Sequence, residues 1–148
     1  MARRLMLSHQ GRVFLDRWGL ECRWFGVFVH HIAGPDPGVD LHDHPWPFVS
    51  LVVRGSYLEE VADARNPRST TLFGRGRWSV HRMPLTRAHR ITLAKQGTWT
   101  LVLRGRKQRS WGFYQPEGFV DWRAYDYAAR RPVDVESSHP EERLRVVR

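Results

Sequence analysis

The sequence predicts an all-β domain, a barrel or sandwich of short strands. Three observations carry that prediction: short strand-like runs recur along the whole chain, Gly- or Pro-bearing breaks separate them, and helix signals are sparse. The runs cover residues 12–15, 23–32, 48–53, 56–61, 69–73, 78–82, 91–93, 98–103 and 110–114. Gly34-Pro35-Asp36-Pro37-Gly38 ends the second run, and Arg54-Gly55 turns the third into the fourth. Further breaks fall at Arg65-Asn66-Pro67, Gly74-Arg75-Gly76 and Gln96-Gly97. In the run 98–103, Trp99, Leu101 and Leu103 share one face while Thr100, Val102 and then Arg104 take the other, so one of the two faces is core. Residues 5–18 and 120–129 show no clean period and read either as helix or as cover for a barrel edge. The segment 130–148 is charged and poor in apolar residues, which predicts a mobile tail or a docked arm beyond a domain at 1–129.

With 148 residues and 41% hydrophobic side chains, the chain can bury one core, and one domain is expected. No apolar run approaches the roughly 18 to 20 residues of a membrane span, and the first twelve residues are too polar for a signal peptide. Cys22 is the only cysteine, which excludes an intrachain disulfide and fits a reducing, cytoplasmic setting. The formal charge of +9 invites a nucleic-acid reading. Against it, only Lys95 and Lys107 of the 24 basic residues are lysines, and the arginines are scattered and often beside acids. The densest cluster, residues 104–109, reads as the solvated tip of a hairpin between the last two runs. No sequence-specific nucleic-acid partner is expected.

The chemistry lies in Leu41-His42-Asp43-His44-Pro45-Trp46. Side chains alternate along an extended chain, so His42 and His44 approach one ion from the same side. A third imidazole, His89, opens another apolar run in Pro84-Leu85-Thr86-Arg87-Ala88-His89-Arg90-Ile91. Three neutral imidazoles leave a divalent ion its full charge and open positions for a bidentate anion.

Residues 38–55 resemble the first motif of the cupin superfamily, a Gly before a His-x-His pair and a second Gly after the strand, here Gly38, His42, His44 and Gly55. Residues 84–89 resemble the second motif, with Pro84 five residues before His89. The resemblance implies a double-stranded antiparallel β-barrel of jelly-roll topology with a mononuclear metal inside. Many cupins add a Glu ligand after the pair; here that place falls on Phe48 or Val49, so the shell that remains is similar to the three-histidine pattern of the cysteine and thiol dioxygenases. A narrower resemblance, to small bacterial and phage cupins, rests on His42 to Trp46, Gly55-Ser56-Tyr57-Leu58-Glu59, residues 111–118 and Asp121-Trp122-Arg123.

The resemblance implies Fe(II), with Zn, Ni and Cu also compatible with imidazole ligands, and a small anionic substrate with O2 as co-substrate. A non-oxidative isomerase or lyase and a non-catalytic binding protein are the alternatives. Glu59 is a candidate general base or fourth ligand, although an exposed or Arg-paired carboxylate is the commoner fate. Tyr57 shares its strand face and can offer a hydroxyl. His81 is a candidate proton donor or alternative ligand, with a structural role the commoner one. Alternation puts one of His30 and His31 inside, and Arg90 away from His89. A homodimer is expected, paired through sheet edges and the aromatic run 111–114.

Overall fold

The computed structural model describes residues 2–7, 11–64, 66 and 69–130, and they form twelve strands and no helix. The strands are β1 (Ala2–Leu7), β2 (Val13–Glu21), β3 (Gly26–Ile32), β4 (Leu41–His42), β5 (Phe48–Arg54), β6 (Ser56–Ala62), β7 (Thr70–Gly76), β8 (Val80–Met83), β9 (His89–Ala94), β10 (Thr98–Arg104), β11 (Gly112–Gln115) and β12 (Gly118–Asp121). They build two six-stranded sheets, in the order β1-β2-β3-β10-β5-β8 and β12-β11-β4-β9-β6-β7. Every pairing is antiparallel. The sheets face each other without a hydrogen-bonded seam closing them into a continuous barrel. Between them lies a cavity of about 400 Å³, lined from both sides.

Three small clusters make the core around that cavity: Phe28, Phe48, Met83 and Val102; Ile32, Val52 and Tyr57; Leu41, Ala62 and Ala88. Gly55 links β5 to β6 with φ at +79°, and a Cβ there would stand 2.4 Å from the Thr98 hydroxyl. Only glycine satisfies both constraints. Thr98, fully buried, then hydrogen-bonds the Ser56 backbone at both its N–H and its carbonyl, fixing the turn. This turn folds the chain from one sheet into the other and delivers Tyr57 and Glu59 to the cavity.

Several expectations change. Of the two readings of residues 5–18 and 120–129, helix is not found among the described residues: the described part of the first segment belongs to the β1–β2 pair at the edge of the first sheet, and in the second the edge strand β12 gives way to turns. The break expected at residues 74–76 lies inside β7, where Arg75 pairs with Tyr57. The basic cluster 104–109 is not a hairpin tip, because β10 and β11 sit in different sheets and the segment crosses between them. Nor is it simply solvated: Arg104 is buried and donates to Glu21 at 2.7 Å, and Arg109 donates to the buried Asp43. Arg130, placed at the start of the tail, instead holds Asp40 through Nε at 2.7 Å and Nη2 at 2.5 Å, while Tyr125 donates to the same carboxylate at 3.0 Å. The tail expected from 131 onward lies outside the described residues. Among the described residues no helix is long and apolar enough to cross a membrane.

Candidate metal centre

His42 ends the two-residue strand β4, His44 follows it, and His89 opens β9, directly opposite His42 in the sheet register. The alternation that puts both histidines of the His-x-His pair on one side sends Asp43 to the other, where it is completely buried. There it accepts hydrogen bonds from the Gly112 N–H at 2.9 Å, the Tyr114 hydroxyl at 2.9 Å and Arg109. The three imidazoles converge in the cavity, with ring centroids 4.9 to 5.1 Å apart and one ligand nitrogen of each within 4.8 Å of the others. The Nε2 atoms of His44 and His89 are 2.8 Å apart. Two nitrogens each about 2.0–2.1 Å from one ion at right angles would be separated by about that much.

The chemistry of these groups fits a metal. Burial pushes the His42 pKa down to about 4 and that of His44 well below its ordinary value, with the neighbouring imidazoles adding to the effect. Both rings are therefore neutral at physiological pH, the form that ligates. His89 is oriented from behind: its Nδ1 donates to Glu59 Oε1 at 2.6 Å, leaving Nε2 free to face the cluster. Glu59 itself is fully buried, and its second oxygen accepts from Arg75 at 2.7 Å. Burial alone would raise its pKa, but the hydrogen bonds from His89 and Arg75 prevail and lower it. The carboxylate thus stands behind a ligand, with one oxygen committed to His89 and the other to Arg75.

Tyr57 and His81 also line the cavity, with the phenol oxygen 3.4 Å from His81 Nε2. Burial raises the Tyr57 pKa and lowers that of His81, so the pair meets as neutral phenol and neutral imidazole. His81 Nε2 is 3.7 Å from Glu59, and its buried Nδ1 has no hydrogen-bond partner among the described residues. His30 lines the cavity while His31 stacks outside on Trp99. Arg90 turns away from His89 to Glu60 and the Val39 carbonyl. Sequence reasoning missed Asp43, Arg75 and Arg109 as supports. Alternation could have turned Asp43 away from the ligands, but nothing local points to an arginine 66 residues on.

No protein-family model matches the sequence, and a search of curated proteins finds no significant match. Solved structures do match by shape. Oxalate decarboxylase of Bacillus subtilis at pH 4.6 superposes with a TM-score of 0.56 at 14% identity, covering 88% of this chain and 32% of that one. Two single-residue variants of that enzyme give TM-scores of 0.55 and 0.54 at 12% and 14% identity, over 81% and 74% of this chain and 30% and 28% of theirs. This chain therefore spans under a third of the length of these neighbours. Another structure of the same enzyme is described for its Mn(II) centres. The two facing antiparallel sheets are thus the fold that these neighbours share. The three histidines that the two motifs supply are brought together in one cluster.

Proposed function

We propose that the protein is a mononuclear metal-dependent cupin oxygenase acting on a small anionic molecule, with Fe(II) held by His42, His44 and His89. The observation that carries this reading is the convergence of three imidazoles in one cavity between the sheets, one of them anchored by a buried carboxylate. When bound, the ion would supply a site where substrate and O2 meet and electrons pass between them. An all-imidazole shell suits Fe, Ni, Cu or Zn better than Mn, which favours carboxylate and water, so the Mn(II) of the structural neighbour is the less fitting choice here. Glu59 is a positioning residue that fixes the His89 ring. Tyr57 can donate its phenolic proton to a bound substrate, and the surrounding Phe28, Phe48 and Val102 keep water out.

The Tyr57–His81 pair favours a second reading, a non-oxidative lyase or isomerase in which His81 moves a proton to or from the substrate. A decarboxylase among the structural neighbours points the same way. Metal analysis after anaerobic purification tests the shared premise: one divalent ion per chain is expected, lost in His42→Ala/His89→Ala and kept in His81→Ala. Full occupancy in the double variant would end both readings. Oxygen uptake during turnover of candidate small carboxylates then selects the oxygenase, and turnover without uptake selects the lyase or isomerase.

The homodimer remains a proposal, with its surface moved. The run 111–114 offers little free apolar area: Phe113 is buried against Tyr125, and Trp111 stacks on Trp122 at 5.8 Å. The apolar surface lies instead on the outer face of the first sheet, where Val29, Leu101, Leu51 and Val80 follow one another across four strands, with Val27, Leu103 and Val49 beside them. These side chains carry no charge and only Arg82 of β8 stands beside them at Val49, so two copies can meet there although each chain bears +9.

A further inference from the structure

The wall of the cavity that faces away from Glu59 carries positive charge in excess of its counter-charge. In the first sheet Arg4 of β1 pairs with Arg17 of β2, Arg17 with His30 of β3, and His30 with Thr100 of β10. All but Arg4 and Arg17 could have been taken as ordinary packing, yet the four side chains form one row pointing into the cavity. Directly opposed like charges destabilise a strand pair. Arg17 is half-buried and lies with its guanidinium 4.5 Å over the Phe28 ring, which crosses β2 because Gly19 has no side chain to obstruct it. The nearby carboxylates are taken: Glu21 by Arg104, Asp16 by Arg3, Asp36 by the Ile91 N–H and Glu59 by His89 and Arg75. Among the described residues none of them hydrogen-bonds or forms a close ion pair with Arg4 or Arg17; Glu21, already bridged to Arg104, attracts them only at longer range. Next in the row, the His30 Nε2 atom is buried and has no hydrogen-bond partner, a state that costs free energy until an acceptor or donor arrives.

We propose that Arg4, Arg17 and His30 form an oxyanion subsite that receives the carboxylate or phosphate end of a ligand whose other end lies at the three-histidine cluster. The placement of that other end rests on the metal-centre reading; the subsite itself does not. Arg17 supplies the planar fork that matches a carboxylate or phosphate, Arg4 adds charge at the mouth, and His30 supplies a donor deeper in. An anion between the two guanidiniums turns their repulsion into attraction. The apolar walls between the two ends, including Phe28, Ile32 and Ile91, select a ligand with an apolar middle.

The test uses the full chain after chelator treatment, so that no metal contributes. Benzoate and phenyl phosphate are titrated calorimetrically at about 150 mM salt, with benzamide as the uncharged analogue. Both anions bind and benzamide does not. Arg17→Gln weakens them by about tenfold or more, Arg17→Lys by less because charge remains without the fork, and Arg4→Gln by about threefold, as expected for losing charge-assisted contacts of decreasing burial. Arg77→Gln, an exposed arginine stacked on Trp78, leaves affinity unchanged. Arg4→Gln removes a like-charge pair and therefore melts no lower than the parent, which keeps the test valid should Arg17→Gln fold poorly. Preference for benzoate assigns the subsite to carboxylates, and preference for phenyl phosphate assigns it to phosphates. Benzamide binding as tightly as benzoate, or Arg17→Lys and Arg4→Gln both binding like the parent, overturns the proposal. Anion binding that needs metal and ignores Arg17 removes the subsite and leaves the metal centre standing; Arg17-dependent binding by a chain that holds no metal does the reverse.

Discussion

The two faces of the first sheet invert the usual arrangement. Its inner face presents Arg17, His30, Ser50, Thr98, Thr100 and Arg104 beside its apolar residues, while its outer face carries a patch of Val and Leu bordered by Arg82, His31 and Trp99. Within β10 the contrast is between neighbours: Thr100 is 2% exposed and Leu101 40%. Apolar side chains normally define the inside because burying them is favourable. Here the inside holds a cavity: Arg17, His30, Ser50 and Thr100 line it, while Thr98 and Arg104 are spent on the Ser56 backbone and on Glu21. The outer face then carries the apolar surface that a single chain leaves uncovered. The lesson is that strand alternation identifies two faces and hydrophobicity alone does not say which of them points inward.

The comparison breaks most severely at its most polar interior point. Glu59→Ala strips the buried His89 and the half-buried Arg75 of their acceptor and is expected to cost about 3 kcal/mol or more in denaturant unfolding. An effect under about 1 kcal/mol would mean that the interior polar network is not under strain to stay paired. On the outer face, Leu101→Glu/Leu103→Glu is expected to convert a dimer into a monomer sedimenting near 17.4 kDa with the same far-ultraviolet spectrum. A parent that already sediments at that mass would dispose of the dimer. Glu59→Gln keeps an oxygen for His89 but loses the charge, so metal affinity measured by competition with a chelator should fall by about tenfold to a hundredfold. Unchanged affinity would deny Glu59 its positioning role. The smallest effects compare adjacent residues of β5. Val52→Ala, at 0% exposed, should cost about 2 kcal/mol, whereas Val53→Ala, at 39%, should stay within about 0.5 kcal/mol in the monomer. Equal costs would erase the distinction between the faces.

Much of this molecule is readable in its sequence because alternation and turn residues act locally. Gly55, the His42–His44 pair and the strands from 48 to 61 follow from neighbours within a few positions, and His89 from a motif of six residues. What escaped depends on contacts far apart in the chain. The role of residues 104–109 could not be read because the same basic cluster suits a hairpin tip and a crossover, and only the assignment of β10 and β11 to different sheets decides between them. Glu59 showed itself as a carboxylate near the pocket, yet its place behind His89 requires the register of β6 against β9, which shifts between Leu58 and Glu59. The irregular N-terminal pattern hid β1 and all of β2 beyond residue 15, since Arg4 and Arg17 point inward where a period-two reading expects apolar residues.

Asp43 has a consequence in time as well as in space. The strand that carries His42 is only two residues long, and so short a strand would ordinarily open readily and slide by one position, which would turn both imidazoles out and the carboxylate in. The Asp43 N–H bonds the Gly112 carbonyl at 3.1 Å and its side chain bonds the Gly112 N–H in return, so the segment is latched at a single phase by a closed pair of bonds in a sealed setting. Deuterium should therefore enter the amides of Asp43 and Gly112 on the slow schedule of the central strands, long after it has entered the amides of exposed turns.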